Sequence, residues 1–358
     1  MPNNEYSKFE DFVKPERWKD LETHFRTSSE ELEQNIQTTV KSEQSLKAKA
    51  RDYLETKLKI KKITQADLDR AEELLFGSKV CAADGTYATV SLSTTGIKGQ
   101  IGVVTTSYIN KRTDYVSYFF EPLLTIDESE FSDVLEARRK MRDEGSAISS
   151  SQIRAIMLYM ERRKVLDREE PWKIVNGDIF PYELRIGQGR LRGLKTCIEL
   201  GREIFMNPYF IGITANSKDY VLNTLALGLN AMEYVDVKSY KDELDDFLAN
   251  AHFNDTDMKM SRDFADDYGN NMRVGIYKIK KRAYIFYAHR DNFDEAAAII
   301  MRDALFQPTR GYPLLIDYAD SICTRLVAAS DFTRQVNFKL AKQGALEEEA
   351  DEHSLRRR

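Results

Sequence analysis

The stretch VCAADGTYATVSLS, residues 80–93, is rich in small and β-branched residues and predicts a long β-strand. It carries a single aspartate, Asp84, in an otherwise apolar first half. IKGQIGVVTTSYI, residues 97–109, and DYVSYFF, residues 114–120, follow after short breaks that contain glycine or asparagine. Extended segments with such short breaks predict three strands in an antiparallel meander.

Helices and further strands are predicted to follow this meander in alternation. A helical stretch at 128–142 comes before a helix at about 150–166, a strand at 172–180, a helix around 189–206 and a strand at 209–217. Apart from the first helical stretch, the order is β-β-β-α-β-α-β, which is the order of a ribonuclease-H-like core. The sequence therefore predicts an α/β fold with a mixed sheet and flanking helices.

The regions around this core differ from it in composition. Residues 1–75 are strongly charged and mostly helical in pattern, and we predict that they form an N-terminal extension that wraps the main domain or contacts a partner. The main domain is predicted over 76–343, with an acidic helical insertion at about 219–270 and a hairpin at 274–289. The charged tail, 344–358, is predicted to be disordered.

The bulk composition excludes several classes of protein. The chain has 358 residues, 42% of them apolar, so a sizeable core is possible. No run of eighteen apolar residues exists, and the charged N-terminus lacks the apolar segment of a secretory signal. The three cysteines lie far apart in sequence, which favours reduced, buried thiols in a cytoplasmic protein. The net charge of −5 argues against a general nucleic-acid coat but allows a locally basic groove.

Three acidic residues occupy positions where a carboxylate is costly. Asp84 ends the apolar strand KVCAAD, Asp178 ends WKIVNGD, and Glu161 lies beside the apolar stripe of the helix SSSQIRAIMLYMERRKVL. A buried carboxylate without a partner costs on the order of several kcal/mol or becomes protonated. Because Arg162 and Arg163 are predicted to project elsewhere, a metal ion is the favoured partner of Glu161. The alternative is a salt bridge to an arginine on another element.

Carboxylates from two strand ends and a crossing helix predict a divalent-metal site. Oxygen ligands suit Mg²⁺ or Mn²⁺, and two such ions about 4 Å apart can promote phosphodiester hydrolysis. The pattern therefore favours a nuclease. Lys218, just after the strand at 209–217, is either placed to neutralise the scissile phosphate or is an ordinary surface lysine.

Taken together, these motifs resemble those of the NurA nucleases over roughly residues 76–335. AADGTYA resembles the first motif of the family, and YMERRKVL followed by IVNGDIF resembles its Glu-then-Asp pair, here Glu161 and Asp178. ITANSKD resembles the segment that the family ends in a lysine, here Lys218. RGYPLLIDYAD, residues 310–320, resembles its late Gly-Tyr-Pro segment.

The last motif departs from the family pattern. NurA nucleases commonly have Ala-His at this position, and this chain has Ala319-Asp320. Asp320 either replaces the histidine as metal ligand or base, since both residue types bind Mn²⁺, or marks altered or lost activity. Asp317 and Tyr318 are close enough in sequence to share the role.

The resemblance implies a DNA nuclease with end-resecting and endonuclease character that depends on Mn²⁺ or Mg²⁺. It implies that Asp84, Glu161, Asp178 and Asp320 bind the ions and that Lys218 stabilises the phosphate. It also implies a homodimer that docks on a HerA-like hexameric DNA translocase, in DNA-end processing during repair or in antiviral defence. The chain has no Walker A pattern, so that ATPase is another protein. Two alternatives stay open, a catalytically inactive adaptor of the translocase and a small-molecule phosphatase.

Overall fold

The computed structural model of this chain describes most of the sequence from residue 43 onward, and before it only residues 33, 36 and 40. The helix predicted at 128–142 and the tail lie outside the described residues. Within the described part, no helix is long and apolar enough to cross a membrane. The described ranges are 43–92, 96–109, 112–120, 150–187, 193–215, 219–327 and 329–342.

One mixed sheet runs through the centre of the fold. Its nine strands are β1 (Ile60–Lys62), β2 (Val80–Leu92), β3 (Gly96–Thr106), β4 (Thr113–Phe120), β5 (Trp172–Asn176), β6 (Phe210–Thr214), β7 (Glu233–Ser239), β8 (Met272–Lys278) and β9 (Ala283–His289). Their spatial order is β1-β7-β8-β9-β6-β5-β2-β3-β4. β2 pairs in parallel with β5, and β5 with β6, whereas the other neighbouring strands are antiparallel.

Helices pack on both faces of this sheet. They are α1 (Gln65–Phe76), α2 (Ser150–Leu166), α3 (Tyr182–Arg185), α4 (Leu194–Met206), α5 (Tyr220–Ala226), α6 (Tyr240–Ala249), α7 (Asp255–Tyr268), α8 (Phe293–Ala304), α9 (Leu314–Leu326) and α10 (Ala329–Lys342). In β5, Val175 packs with α4, α6 and α7, while Ile174 packs with α1, α8 and α9. Successive side chains of a strand point to opposite faces, so one short apolar strand supplies both halves of the core.

The predicted β-β-β-α-β-α-β order is confirmed. β2, β3 and β4 form the antiparallel meander, and α2, β5, α4 and β6 follow along the chain, with the single-turn helix α3 between β5 and α4. In space these strands are ordered β4-β3-β2-β5-β6. The α/β class and the ribonuclease-H-like mixed sheet are therefore confirmed, as is the predicted hairpin, formed by β8 and β9.

Two predicted boundaries differ from the structure. The segment at about 219–270 is not helical throughout, because it contains β7, whose Val235 is buried in the core and which pairs with both β1 and β8. The predicted N-terminal extension includes β1 and α1, and Leu75 of α1 is buried against the sheet. Leu54 is also buried in the main core, so residues from about 50 onward pack with the main domain. In β7 and in the region of β1 and α1, charged residues interrupt the apolar pattern by which a buried strand or helix is recognised in a sequence.

Candidate active site

The parallel strands end together at one edge of the sheet. Parallel pairing of β2 with β5 stops at Ala83 and Val175, and Asp84 is the next residue of β2. The helix α2 packs across β2 at this edge and brings Glu161 to it. Asp84, Glu161 and Asp178 line one cavity of about 460 Å³. The structure therefore brings the three predicted acids of the strand-helix-strand pattern to a common cavity.

Glu161 approaches the sheet closely because the strand has a glycine beneath it. A Cβ atom at Gly85 would lie 2.9 Å from Cγ of Met157 and 3.3 Å from Oε2 of Glu161. The backbone amides of Gly85 and Asn176 form hydrogen bonds with the Glu161 carboxylate. Glu161 is consequently only 1% exposed, deeper than the flanking position predicted from its helix.

The prediction that Arg162 projects elsewhere is wrong. Arg162 is fully buried, and its Nη1 lies 3.6 Å from Oε1 of Glu161. The distance is too long for a hydrogen bond, so Arg162 contributes charge only. Within the described residues, Oε1 of Glu161 has no hydrogen-bond partner. The guanidinium of Arg162 donates instead to the backbone carbonyls of Leu158, Ile179 and Asp178.

Both central carboxylates are held in surroundings that disfavour their charge. Burial raises the pKa of Glu161 to about 7, although the charge of Arg162 opposes the shift. Burial also raises the pKa of Asp84 well above its ordinary value, and the charge of Glu161 raises it further. A divalent cation near the two acids would favour their ionised forms, because an opposite charge lowers the pKa of a carboxylate.

Asp84 is oriented by a polar chain that the sequence motifs did not indicate. Nδ2 of Asn176 donates a hydrogen bond of 3.0 Å to Oδ1 of Asp84. The Tyr312 hydroxyl donates to Oδ1 of Asn176 at 2.8 Å and also lies 3.1 Å from the carbonyl oxygen of Ile213. Gly311, at φ +72°, provides the left-handed turn before Tyr312. The signal in the sequence for this series of hydrogen bonds is the Gly-Tyr-Pro segment, which contains Tyr312.

Asp178 is already held by protein groups. Its Oδ2 accepts a hydrogen bond from Nη2 of Arg185 at 2.6 Å, and its Oδ1 accepts from the Tyr240 hydroxyl at 2.5 Å and the Phe180 amide at 3.1 Å. Arg185 also lies 3.6 Å from Glu243. Sequence reasoning missed this cluster, because its members come from α3, α6 and the segment after β5. Asp178 therefore lines the cavity with both carboxylate oxygens engaged.

Asp320 lies next to the central pair, and Lys218 is outside the described residues. Asp320 is exposed on α9, beside the buried Ala319. The charge of Asp320 and a side-chain hydrogen bond both raise the pKa of Asp84, although Asp320 does not line the cavity that Asp84, Glu161 and Asp178 share. The last motif of the sequence therefore comes to the same edge of the sheet as the first.

The donor set suits a hard cation with few protein ligands. Within the described part of the chain, no group of three or more His, Cys, Asp or Glu side chains is arranged to hold a metal ion. Mg²⁺ is often bound through only one or two carboxylates, with water and substrate phosphates as its other ligands. Asp84 and Glu161 fit that pattern, since one buried oxygen of Glu161 has no hydrogen bond to give up.

Comparison with known proteins found similar structures and no similar sequence. The chain is similar to the NurA nuclease from Sulfolobus solfataricus, with 11% identity over 87% of this chain and 95% of that one and a TM-score of 0.49. It is similar to endonuclease V from Bacillus subtilis, with 12% identity over 84% and 94% and a TM-score of 0.33. No protein-family model matches the sequence, and no curated protein matches it either. The predicted resemblance to NurA-type nucleases is matched by this similarity of structure, which at these identities and TM-scores says nothing of the activity.

Proposed function

We propose that this chain is a divalent-metal-dependent deoxyribonuclease that hydrolyses phosphodiester bonds. The observation that carries the proposal is the meeting of Asp84 and Glu161, both buried, at the ends of the parallel strands, beside a cavity. Mg²⁺ or Mn²⁺ bound there supplies charge neutralisation of the phosphate and activation of water. Two ions are proposed, as the sequence motifs implied.

Each neighbouring residue has a distinct role in this proposal. Asp84 and Glu161 bind the cation, and Asn176 orients Asp84 through the hydrogen bond to Oδ1. Asp178 and Asp320 are proposed as further ligands, and Oδ2 of Asp178, which accepts one hydrogen bond, from Arg185, keeps a second lone pair for a cation. Lys218 is proposed to stabilise the phosphate. The list of proposed metal ligands is therefore Asp84, Glu161, Asp178 and Asp320.

The partners of the protein are proposed from the resemblance alone. NurA-like motifs imply a homodimer that docks on a HerA-like hexameric ATPase, which would feed duplex ends to the nuclease. DNA-end processing in repair and antiviral defence are the two settings that this arrangement suits. The protein is proposed to work in the cytoplasm.

One observation favours a second candidate, an inactive adaptor that regulates the translocase. Both oxygens of Asp178 are bound by Arg185, Tyr240 and the Phe180 amide. Asp320 stands where the family commonly has histidine. A chain that had lost metal binding would retain these protein contacts.

One assay separates the candidates. The protein is incubated with linear duplex DNA and Mn²⁺, alone and with its HerA-like ATPase. We expect cleavage that disappears with chelator and in Asp84→Ala but persists in Asp263→Asn, an exposed acid on α7. Absence of cleavage in every condition, with a change in the ATPase rate, supports the adaptor. Turnover of simple phosphate esters without any action on DNA supports a phosphatase.

A further inference from the structure

We infer that the turn between β8 and β9, with the loop before α9, forms a basic surface that binds the sugar-phosphate backbone of a nucleic acid beside Asp84. The inference rests on the proposed nuclease function and names the surface that would bring the substrate to the site. We call this surface the basic ridge. It consists of Lys280, Lys281, Arg282 and Arg310.

The turn itself presents three consecutive cationic side chains. Lys280, Lys281 and Arg282 are all exposed. Within the described part of the chain, no ion pair of 4.0 Å or less holds Lys280 or Lys281. Lys278, two residues before Lys280, is not part of the ridge, because its Nζ donates to the Leu229 carbonyl at 2.9 Å and burial lowers its pKa.

Arg282 joins the turn to the edge of the sheet that carries the site. Its Nη2 donates to the carbonyl oxygen of Ala215 at 3.1 Å, and Ala215 directly follows β6. Its guanidinium carbon lies 5.3 Å from the ring centre of Tyr284. An arginine stacked on an aromatic ring is held in place and presents a planar group suited to a phosphate.

Arg310 lies against a tyrosine ring in the same way, and its ring, that of Tyr312, is nearer to the site than that of Tyr284. Its guanidinium carbon lies 5.3 Å from the ring centre of Tyr312, and the Tyr284 and Tyr312 rings are 5.2 Å apart. The Tyr284 hydroxyl donates to the Arg310 carbonyl at 2.6 Å, which ties the two halves of the ridge together. Arg310 also pairs with Asp317, which compensates part of its charge.

The ridge reaches the candidate active site through Tyr312. The hydroxyl of Tyr312 binds Asn176, which in turn binds Asp84. Tyr312 is buried, and the charges of Asp84 and Arg310 act on its pKa in opposite directions. The cationic ridge and the acidic site therefore lie on either side of a single tyrosine.

This placement suits a polyanion that spans the two regions. Lysine and arginine side chains neutralise successive phosphates, while a scissile phosphate would lie at the acidic site with its cation. The whole chain has a net charge of −5, so a local basic surface of this kind would direct the polymer to one place.

Binding without cleavage tests the inference. The full-length protein is titrated with labelled single-stranded DNA, duplex DNA and duplex RNA in the absence of divalent cations, at several salt concentrations. The variant Lys280→Glu with Lys281→Glu is compared with Lys259→Glu and Arg262→Glu, an exposed pair on α7 that changes the net charge equally. We expect the ridge variant to lose at least tenfold in affinity and the control variant less than threefold. For duplex DNA, the slope of log K against log salt should become shallower by about 0.9 for each lost phosphate contact.

The outcomes distinguish failure of this inference from failure of the proposed function. If the wild-type protein binds none of the three polymers, the ridge is contradicted, while the proposed function is decided by the separate cleavage assay with Mn²⁺. If it binds and the ridge variant binds as tightly as the control, the ridge is contradicted alone. Arg282→Gln, which removes charge without adding an acid, should weaken binding at least threefold. The polymer for which the ridge variant loses the most affinity is the nucleic acid that the ridge binds.

Discussion

Asn176 donates a hydrogen bond of 3.0 Å from Nδ2 to Oδ1 of Asp84, while its own Oδ1 accepts the Tyr312 hydroxyl. Because both the Nδ2 and the Oδ1 of Asn176 are hydrogen-bonded, its side-chain amide keeps one orientation. Asp84 therefore faces the NH₂ group, a donor, and not the amide oxygen. The contact joins the ends of β2 and β5 to the loop before α9. Asn176 is accordingly a positioning residue for Asp84 in our account.

Tyr312→Phe tests this positioning. Loss of the hydroxyl should lower the free energy of unfolding by about 1 kcal/mol and the cleavage rate by about tenfold, because Asn176 would be free to flip. Urea unfolding and single-turnover cleavage measure the two effects. Tyr277→Phe is the matched control, since its buried hydroxyl donates to the Gly311 carbonyl at 3.2 Å. Equal losses of activity in the two variants would contradict the role of Asn176.

Gly85→Ala tests the close approach of α2. The added Cβ would lie 2.9 Å from Cγ of Met157, so the helix must shift and take Glu161 with it. We expect a loss of about 1–3 kcal/mol in stability and a larger proportional loss of cleavage. Met157→Ala in the same chain removes the nearest contact and should restore part of the activity. No change in cleavage by Gly85→Ala alone would show that the position of Glu161 does not matter.

Asp178→Asn tests the ion pair with Arg185. The variant loses the partner of a largely buried guanidinium, at a cost of about 2 kcal/mol, less than for a fully buried pair because one-fifth of the Asp178 side chain is exposed. Denaturant unfolding without metal measures this cost. An unchanged midpoint would mean that Glu243 and Tyr240 hold Arg185 equally well without Asp178.

Asp303 gives the protein a pH-dependent stability that is independent of the active site. It is fully buried, accepts a hydrogen bond from the Leu315 amide at 3.0 Å and another from Tyr108, and burial raises its pKa to about 6. The folded protein therefore binds this proton more tightly than the unfolded chain does. Between about pH 4 and pH 6 the contribution of Asp303 to the free energy of unfolding should fall as pH rises, by up to roughly 3 kcal/mol, and then stay level.

Asp303→Asn is the variant that isolates this effect. Its side chain has nearly the same shape and no titrating proton, so the difference in unfolding free energy between wild type and variant should follow the predicted fall. Chemical denaturation at pH 4, 5, 6 and 7 measures it. The same pH slope in both proteins would show that Asp303 is not the group responsible.

The order of the core elements could be predicted because their residues carry local signals. Three of the five residues of β5 are apolar, and α2 repeats its apolar residues at helical spacing, so both elements can be recognised from local sequence. β7 could not be predicted, because EYVDVKS is partly charged and its strand conformation follows from pairing with β1 and β8.

The meeting of the acids at one cavity could be predicted from the sequence, whereas their protein partners could not, and metal binding by these acids stays a prediction. Asp84 and Glu161 stood out because each interrupts apolar residues. The position of Arg162 depends on three carbonyl groups that only the folded chain brings together. Arg185 likewise meets Asp178 through the packing of α3 against α6, which no local pattern indicates.

Calorimetric titration of Mn²⁺ into the protein tests the central claim most directly. At pH 8 the wild-type protein and Asp263→Asn should both show saturable binding, while Asp84→Asn and Glu161→Gln should lose at least tenfold in affinity. Binding to the wild type should weaken as pH falls below about 7, because the raised pKa of Glu161 makes protons compete with the ion. Equal Mn²⁺ affinity in all four proteins would contradict a metal site at Asp84 and Glu161.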